Sequence, residues 1–284
     1  MSIIQGLRGE DFKKVISNFV SVANDKQKNL LLSTDSLAIY SAAFTTRAAS
    51  TENYEIYEFL GDSTANQCVT WYLFRRFPEL DCSRGIIVLS PLKANLTSKA
   101  SFGGIAEKLG FLPCVTMSAE EAEDTLKVLE DVFEASIAVT ALLLDKAFGA
   151  GTGYPVVYDI IAGIYDGIKI SLKYTDILDA KSRLKQLLEM YDKKGESLGV
   201  IKYRVVATDN NIVTSKVVLT SPVGKSSVLA TGKGDDKSAS EKAAAESALD
   251  NLANAGYVLP EPDFYKTYCV ESTTTTGAPA GVVI

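Results

Sequence analysis

Apolar residues recur at three- and four-residue spacing through the first 150 positions, the interval that gathers them on one side of an α-helix. This period predicts a helix over 54–77, halted by Pro78. A second is expected to start at Ser90-Pro91, where serine caps open amides and proline suits the first helical position. A third is expected over 119–148, ended by the Gly149-Ala150-Gly151 breaker, and a fourth after Pro155, closing a helical domain near residue 175. The pattern then changes. A helix over 181–191 precedes three β-forming runs at 203–207, 213–220 and 227–231, the last two joined through Ser221-Pro222-Val223-Gly224. Gly232-Lys233-Gly234 is expected to end the sheet, and the alanine-rich stretch 239–253 to form a final helix. From Glu271 onward, four threonines and Gly-Ala-Pro-Ala-Gly show no apolar period, which predicts a disordered tail. The expectation is a multi-domain chain: an all-α domain over 1–175, an α+β domain of order α-β-β-β-α over 176–258, and a tail over 259–284.

Composition narrows the chemistry. With 284 residues and 46% hydrophobic content, the chain has material for at least one large core. No apolar run reaches the roughly 18 to 20 residues needed to span a membrane, and no leader pattern is visible. The expectation is a soluble, unsecreted, intracellular protein, cytoplasmic or nuclear, with no membrane partner. Cys68, Cys82, Cys114 and Cys269 lie far apart with no C-x-x-C pair, which suggests reduced thiols rather than a zinc cluster or a disulfide framework. Histidine is absent, which excludes Ser-His-Asp, Cys-His and His-metal chemistry. Carboxylates are the remaining supply.

The net charge of -6 argues at first against gripping a phosphate backbone, but its distribution matters more. Residues 1–175 hold 16 Lys+Arg against 21 Asp+Glu, whereas residues 176–257 hold 12 against 11. The acidity therefore sits in the helical part, where clustered carboxylates could hold divalent cations. Glu58 and Asp62 share one face of the first long helix, with Glu55 one turn earlier, beside the apolar pair Phe59-Leu60. Such a stripe is either a solvated acidic face or a site neutralised by metal. Asp131 and Glu134 repeat the arrangement inside an otherwise apolar helix. If the two helices pack antiparallel, four carboxylates converge in the oxygen-rich setting that Mg2+ or Mn2+ prefers, which suits phosphodiester hydrolysis.

These segments resemble a known family. "NYEIYEFLGDSTAN" looks like the ribonuclease III signature, "EDVFEASIAV" like its second acidic motif and "LSPLKANLTSK" like the helix between them, in matching order over roughly residues 10–175. The resemblance implies a metal-dependent endonuclease that cuts double-stranded RNA to products with 5′-phosphate and 3′-hydroxyl ends. It implies Mg2+ as the cofactor, with Mn2+ as a substitute. Glu58, Asp62, Asp131 and Glu134 occupy the positions of the four principal catalytic carboxylates. Glu58, Asp131 and Glu134 are implied near the metal, Asp62 as support and Glu55 as an auxiliary acid. A glutamate the family often carries before the "LSPLKA" segment is replaced by Ile86, and Thr46 and Tyr57 stand where His and Leu are familiar. Phe59 matches an aromatic that packs into a partner subunit of a homodimer, although as a residue type it suits a core equally well.

The second part resembles a double-stranded-RNA-binding domain, with "KAAAESALDNL" closing it. Such domains read duplex shape and touch phosphates through lysines at the start of the last helix. Gln186 matches a groove-contacting position and Lys237 one lysine of the cluster, but Ser238 and Glu241 replace two others. The loop between the first strands is a short Asp209-Asn210-Asn211. Lys225, Lys233, Lys237 and Lys242 form either a basic RNA-binding rim or scattered solubilising charges. Weak, salt-sensitive RNA affinity is expected, with protein contact or dimer positioning as the alternative. For the whole chain, the alternative is a catalytically inactive relative acting as an RNA-binding or scaffold protein.

Overall fold

The computed structural model describes residues 2–209 and 212–268. The chain divides into two compact units, one within residues 1–170 and one beginning at Ser171.

The first unit is helical. Its elements are α1 (Glu10–Phe19), α2 (Asp25–Leu31), α3 (Thr34–Ala43), α4 (Glu55–Arg76), α5 (Ile86–Leu96), α6 (Lys99–Lys108), α7 (Thr125–Phe148) and α8 (Gly153–Asp166). Two short strands, β1 (Ile3–Ile4) and β2 (Met117–Ser118), pair antiparallel, so the all-α expectation needs this small exception. Arg8 secures the same corner: its guanidinium donates to Ser41 Oγ and to the Cys114 carbonyl.

Helix α7 is the centre of the unit because it is apolar nearly all round. Leu129, Val132, Phe133, Ile137, Val139 and Leu144 are buried, and α2, α3, α4, α6 and α8 all pack against it. Phe133 meets Phe102 and Phe19, with ring centroids 4.9 and 6.2 Å apart. Full burial of one such ring contributes about 1.5–3 kcal/mol. The polar groups drawn into this core are paired, as where the Tyr40 hydroxyl and Thr140 Oγ1 lie 2.6 Å apart.

Two helix starts differ from the expectation by four residues or more. Helix α5 begins at Ile86, and Pro91 lies inside it rather than at its first turn. Burying Val88 and Leu92, four apart on one face, outweighs the N–H that proline cannot supply. Helix α7 begins at Thr125 instead of near residue 119, because Ser118 and Glu121 are bonded to each other in a preceding turn. Asp124 then caps the helix through the Lys127 amide.

The second unit contains α9 (Tyr174–Ile177), α10 (Ala180–Lys193), β3 (Val200–Asp209), β4 (Ile212–Thr220), β5 (Ser226–Gly234), α11 (Lys237–Asn254) and α12 (Asp263–Tyr268). The three strands form one antiparallel sheet in the order β3-β4-β5. One face packs on α10 and α11 around Leu184, Leu187, Val217, Ala230, Ala244 and Ala248. The sheet ends at Gly234 as expected, with β5 running through Gly232 and Lys233 rather than stopping at residue 231. A Cβ on Gly232 would lie 2.1 Å from the Ala244 amide nitrogen, so these glycines let α11 press against the strand. The beginning of the expected tail is helical: Phe264 and Tyr265 of α12 are buried, and Tyr265 meets Tyr174 edge-on. The expected disorder from Glu271 falls outside the described residues, as do Asn210 and Asn211.

Candidate active site

The acidic residues meet where α4 lies along α7. Close approach depends on Gly61: a Cβ there would sit 1.9 Å from the Glu134 carbonyl oxygen. With no side chain at that point the two backbones touch, and Glu58 and Asp131, each one turn before the contact on its own helix, are brought close to Glu134.

Glu58, Asp131 and Glu134 each present a carboxylate oxygen, all within 4.8 Å of one another. Asp131 and Glu134 are only 5% and 6% exposed, and Glu58 is half-buried. Burial, followed by the charges of Asp62, Glu130, Asp131 and Glu58, pushes the Glu134 carboxyl up to about 8. The Glu58 carboxyl is also raised, chiefly by burial and then by Asp131, against the opposing charge of Lys127. Three hard oxygen donors, crowded and under-neutralised, fit a divalent cation.

Two neighbours hold Asp131. Tyr54, buried immediately before α4, donates its hydroxyl to Asp131 Oδ2 at 3.0 Å, and burial beside that carboxylate raises the phenol well above its ordinary range. Lys127 donates to Asp131 Oδ1 at 2.6 Å and to Glu130 Oε2 at 3.2 Å. Neither was among the residues singled out from the sequence. Lys127 was accessible as an i,i+4 partner of Asp131, whereas the Tyr54 contact arises only from the packing of α4 on α7.

Other anticipated residues lie around this centre rather than in it. Asp62 is exposed and accepts a hydrogen bond from Asn66 Nδ2 at 2.7 Å. Glu55, on the first turn of α4, accepts one from Arg47 at 3.1 Å. Thr46 is buried and donates to Glu121 Oε2 at 2.6 Å, fastening the loop before α4 to the turn before α7. Ile86 is exposed at the start of α5 and lines an apolar groove with Trp71, Phe74 and Leu89. Phe59 is 71% exposed, which removes the reading of a core phenylalanine.

In the second unit, Lys225, Lys233, Lys237 and Lys242 are exposed. Gln186 is exposed as well, and its side-chain oxygen accepts a hydrogen bond from the Tyr174 hydroxyl at 3.1 Å. Glu241 is buried and ion-paired with Lys181. The three cysteines that fall among the described residues, Cys68, Cys82 and Cys114, are free thiols.

A carboxylate cluster clasped between two helices, in a chain without histidine, leaves acidic side chains as the groups on offer for metal binding and hydrolytic chemistry. The Ribonuclease III domain model matches residues 55–146. A protein of Invertebrate iridescent virus 6 assigned as a ribonuclease 3 is 31% identical over 280 residues, covering 93% of this chain and 94% of its own. Ribonuclease 3 of Chromobacterium violaceum is 28% identical over 215 residues, covering 74% and 84%. The nuclease domain of ribonuclease III from Campylobacter jejuni aligns with 55% of this chain and 97% of its own, at 25% identity and a TM-score of 0.40. The chain belongs to the ribonuclease III family and is a ribonuclease III-type endoribonuclease. The family implies a divalent metal, and the acidic cluster supplies suitable donors. Among the described residues, no helix is long and apolar enough to cross a membrane.

Proposed function

We propose that this chain cleaves double-stranded RNA in a divalent-cation-dependent reaction that leaves 5′-phosphate and 3′-hydroxyl ends. The observation that carries the reading is the convergence of Glu58, Asp131 and Glu134, two of them buried, across the contact between α4 and α7. These three would hold the cation, Mg2+ by preference for hard oxygen donors and Mn2+ as its substitute. When bound, the cation supplies Lewis-acid activation of water and stabilisation of the departing oxygen. Tyr54 keeps Asp131 turned toward the centre. Lys127 balances its charge, and Asp62 and Glu55 add negative potential at the rim.

The exposed apolar surface of α4 around Ile56, Phe59 and Leu60 supports a homodimer with two such centres, one for each strand of a duplex. The α-β-β-β-α unit supports assignment as a double-stranded-RNA-binding domain, with Gln186, Lys225, Lys233, Lys237 and Lys242 at exposed positions. On this reading the nuclease domain spans 1–175, the RNA-binding domain 176–258 and the tail 259–284.

The test incubates the full chain with a long RNA duplex at low salt in Mg2+, Mn2+ or chelator, beside a Glu134→Gln variant. Cutting in either metal, abolished by chelator and by the substitution, is expected, with product ends degraded by a 5′-phosphate-dependent exonuclease. Removing one of the crowded carboxylates should also raise the melting temperature of the metal-free protein and abolish its upward shift with Mn2+. A duplex that binds yet stays intact in both metals would falsify the catalytic reading and favour a binding or scaffold role.

A further inference from the structure

The sheet of the second unit has one face against its helices, and the other carries four cations. Tyr203, Val217 and Ala230 pack toward α10 and α11, so strand alternation turns Lys202, Arg204 and Lys216 to the opposite face. Gly232 and Gly234 meet the backbone of α11, which gives Lys233 the same outward direction. Arg204 and Lys216 are register partners on adjacent strands, and Lys233 is the register partner of Thr214. Like charges placed opposite each other, about 5 Å apart in the backbone, destabilise a sheet unless an anion lies over them. Among the described residues none of the four forms an ion pair. The three strands contain a single acid, Asp209, at the hairpin end of β3.

The start of α11, on the opposite side, has the reverse character. Lys237 opens α11 directly behind Asp235 and Asp236, and Glu241 is buried against Lys181. Negative charge therefore occupies the helix end where a phosphate would otherwise be attracted.

We propose that the outward sheet face formed by Lys202, Arg204, Lys216 and Lys233 is an RNA-docking surface that contacts the phosphate backbone of a duplex, taking over from the start of α11. The occupant follows from charge complementarity: unpaired cations, no acid among them, on a chain whose family acts on RNA. The inference rests on the proposed RNA-cleaving function only for the identity of that polyanion.

The test measures fluorescence anisotropy of a labelled RNA duplex with the full chain in chelator, across a salt series. The duplex is roughly twice the ~16 base pairs that a double-stranded-RNA-binding domain spans. A combined Lys202→Gln, Arg204→Gln, Lys216→Gln variant should weaken binding by roughly 10-fold. It should also flatten the slope of log Kd against log salt, by roughly 0.9 for each phosphate that is no longer neutralised. Because these changes relieve repulsion, the variant should fold, which circular dichroism checks, and Arg204→Gln alone should show a smaller loss in the same direction. A Lys237→Gln, Lys242→Gln variant should lose less than the sheet variant. Unchanged affinity in the sheet variant overturns the proposal, and loss confined to the helix variant does so as well. If the sheet variant keeps its RNA affinity but loses affinity for polyglutamate, the face belongs to an acidic protein and the proposal fails. Cleavage of the same duplex by the wild-type chain in Mn2+ is scored separately, so a failed docking surface is distinguishable from a failed nuclease.

Discussion

Asp131 has both oxygens engaged, one by the Tyr54 hydroxyl and one by Lys127, so its orientation is set by residues outside the carboxylate trio. Groups that orient a metal ligand from behind typically matter by 10–100-fold in metal affinity or activity. Tyr54→Phe keeps the ring and removes one donor. It should weaken Mn2+ binding by about 10-fold in calorimetric titration and lower kcat, while KM for the duplex stays near the wild-type value. Equal Mn2+ affinity in the two proteins would rule out the positioning role. The carboxylates themselves were legible in the sequence because acids spaced three or four apart on a helix must share a face. Tyr54 was not, since nothing local to it indicates that α7 lies opposite. Glu241 shows the same boundary: its place in the lysine cluster could be read, but its burial against Lys181 depends on how α10 meets α11.

At the scale of elements, the seam between α4 and α7 rests on one missing side chain. Gly61→Ala would drive a methyl group into the Glu134 carbonyl, and overpacking of this kind usually costs about 1–3 kcal/mol. Gly104, inside α6, is the internal comparison, because a Cβ there meets nothing within 4 Å. Gly104→Ala should stabilise by up to about 1 kcal/mol from helix propensity, and Gly61→Ala should destabilise despite the same propensity gain. Urea denaturation of both variants measures the difference, and equal midpoints would remove the packing argument. Most element types were readable from period alone, whereas β1, β2, α12 and several boundaries were not. Pro91 and the Ser118–Glu121 turn show why, since tertiary burial and a local side-chain bond displaced starts that capping rules favoured. Gly232 and Gly234 marked the end of the sheet, but that they lie within β5 follows only from the helix that needs the space.

For the whole molecule, the exposed residues of α4 are as informative as the buried ones. Ile56, Phe59, Leu60, Trp71 and Phe74 fall on one side of the helix along a line of about 27 Å, and all are exposed. A second copy covering that line would place two acidic centres in one particle. Sedimentation should show wild-type protein at twice the 30.5 kDa chain mass, and Phe59→Glu should shift it to the monomer. The variant should cut a duplex far more slowly while its Mn2+ affinity is unchanged. A monomeric wild-type protein with full activity would contradict this. The sequence placed Phe59 beside the acidic positions Glu58 and Asp62 but could not say whether it faced inward, because an aromatic after a glutamate suits a core as well as an interface.

The position of α7 also orders events in time. A ribosome delivers Glu58 and Asp62 early, but Asp131, Glu134 and Phe133, which packs on Phe19 and Phe102, arrive only with α7, and β1 waits for Met117 and Ser118 to find a partner. A nascent chain halted before Thr125 therefore has one of the three clustered acids and an incomplete interior, leaving apolar side chains exposed to chaperones and proteases. Closure of the acidic cluster and completion of the helical core therefore both wait for the same element, α7.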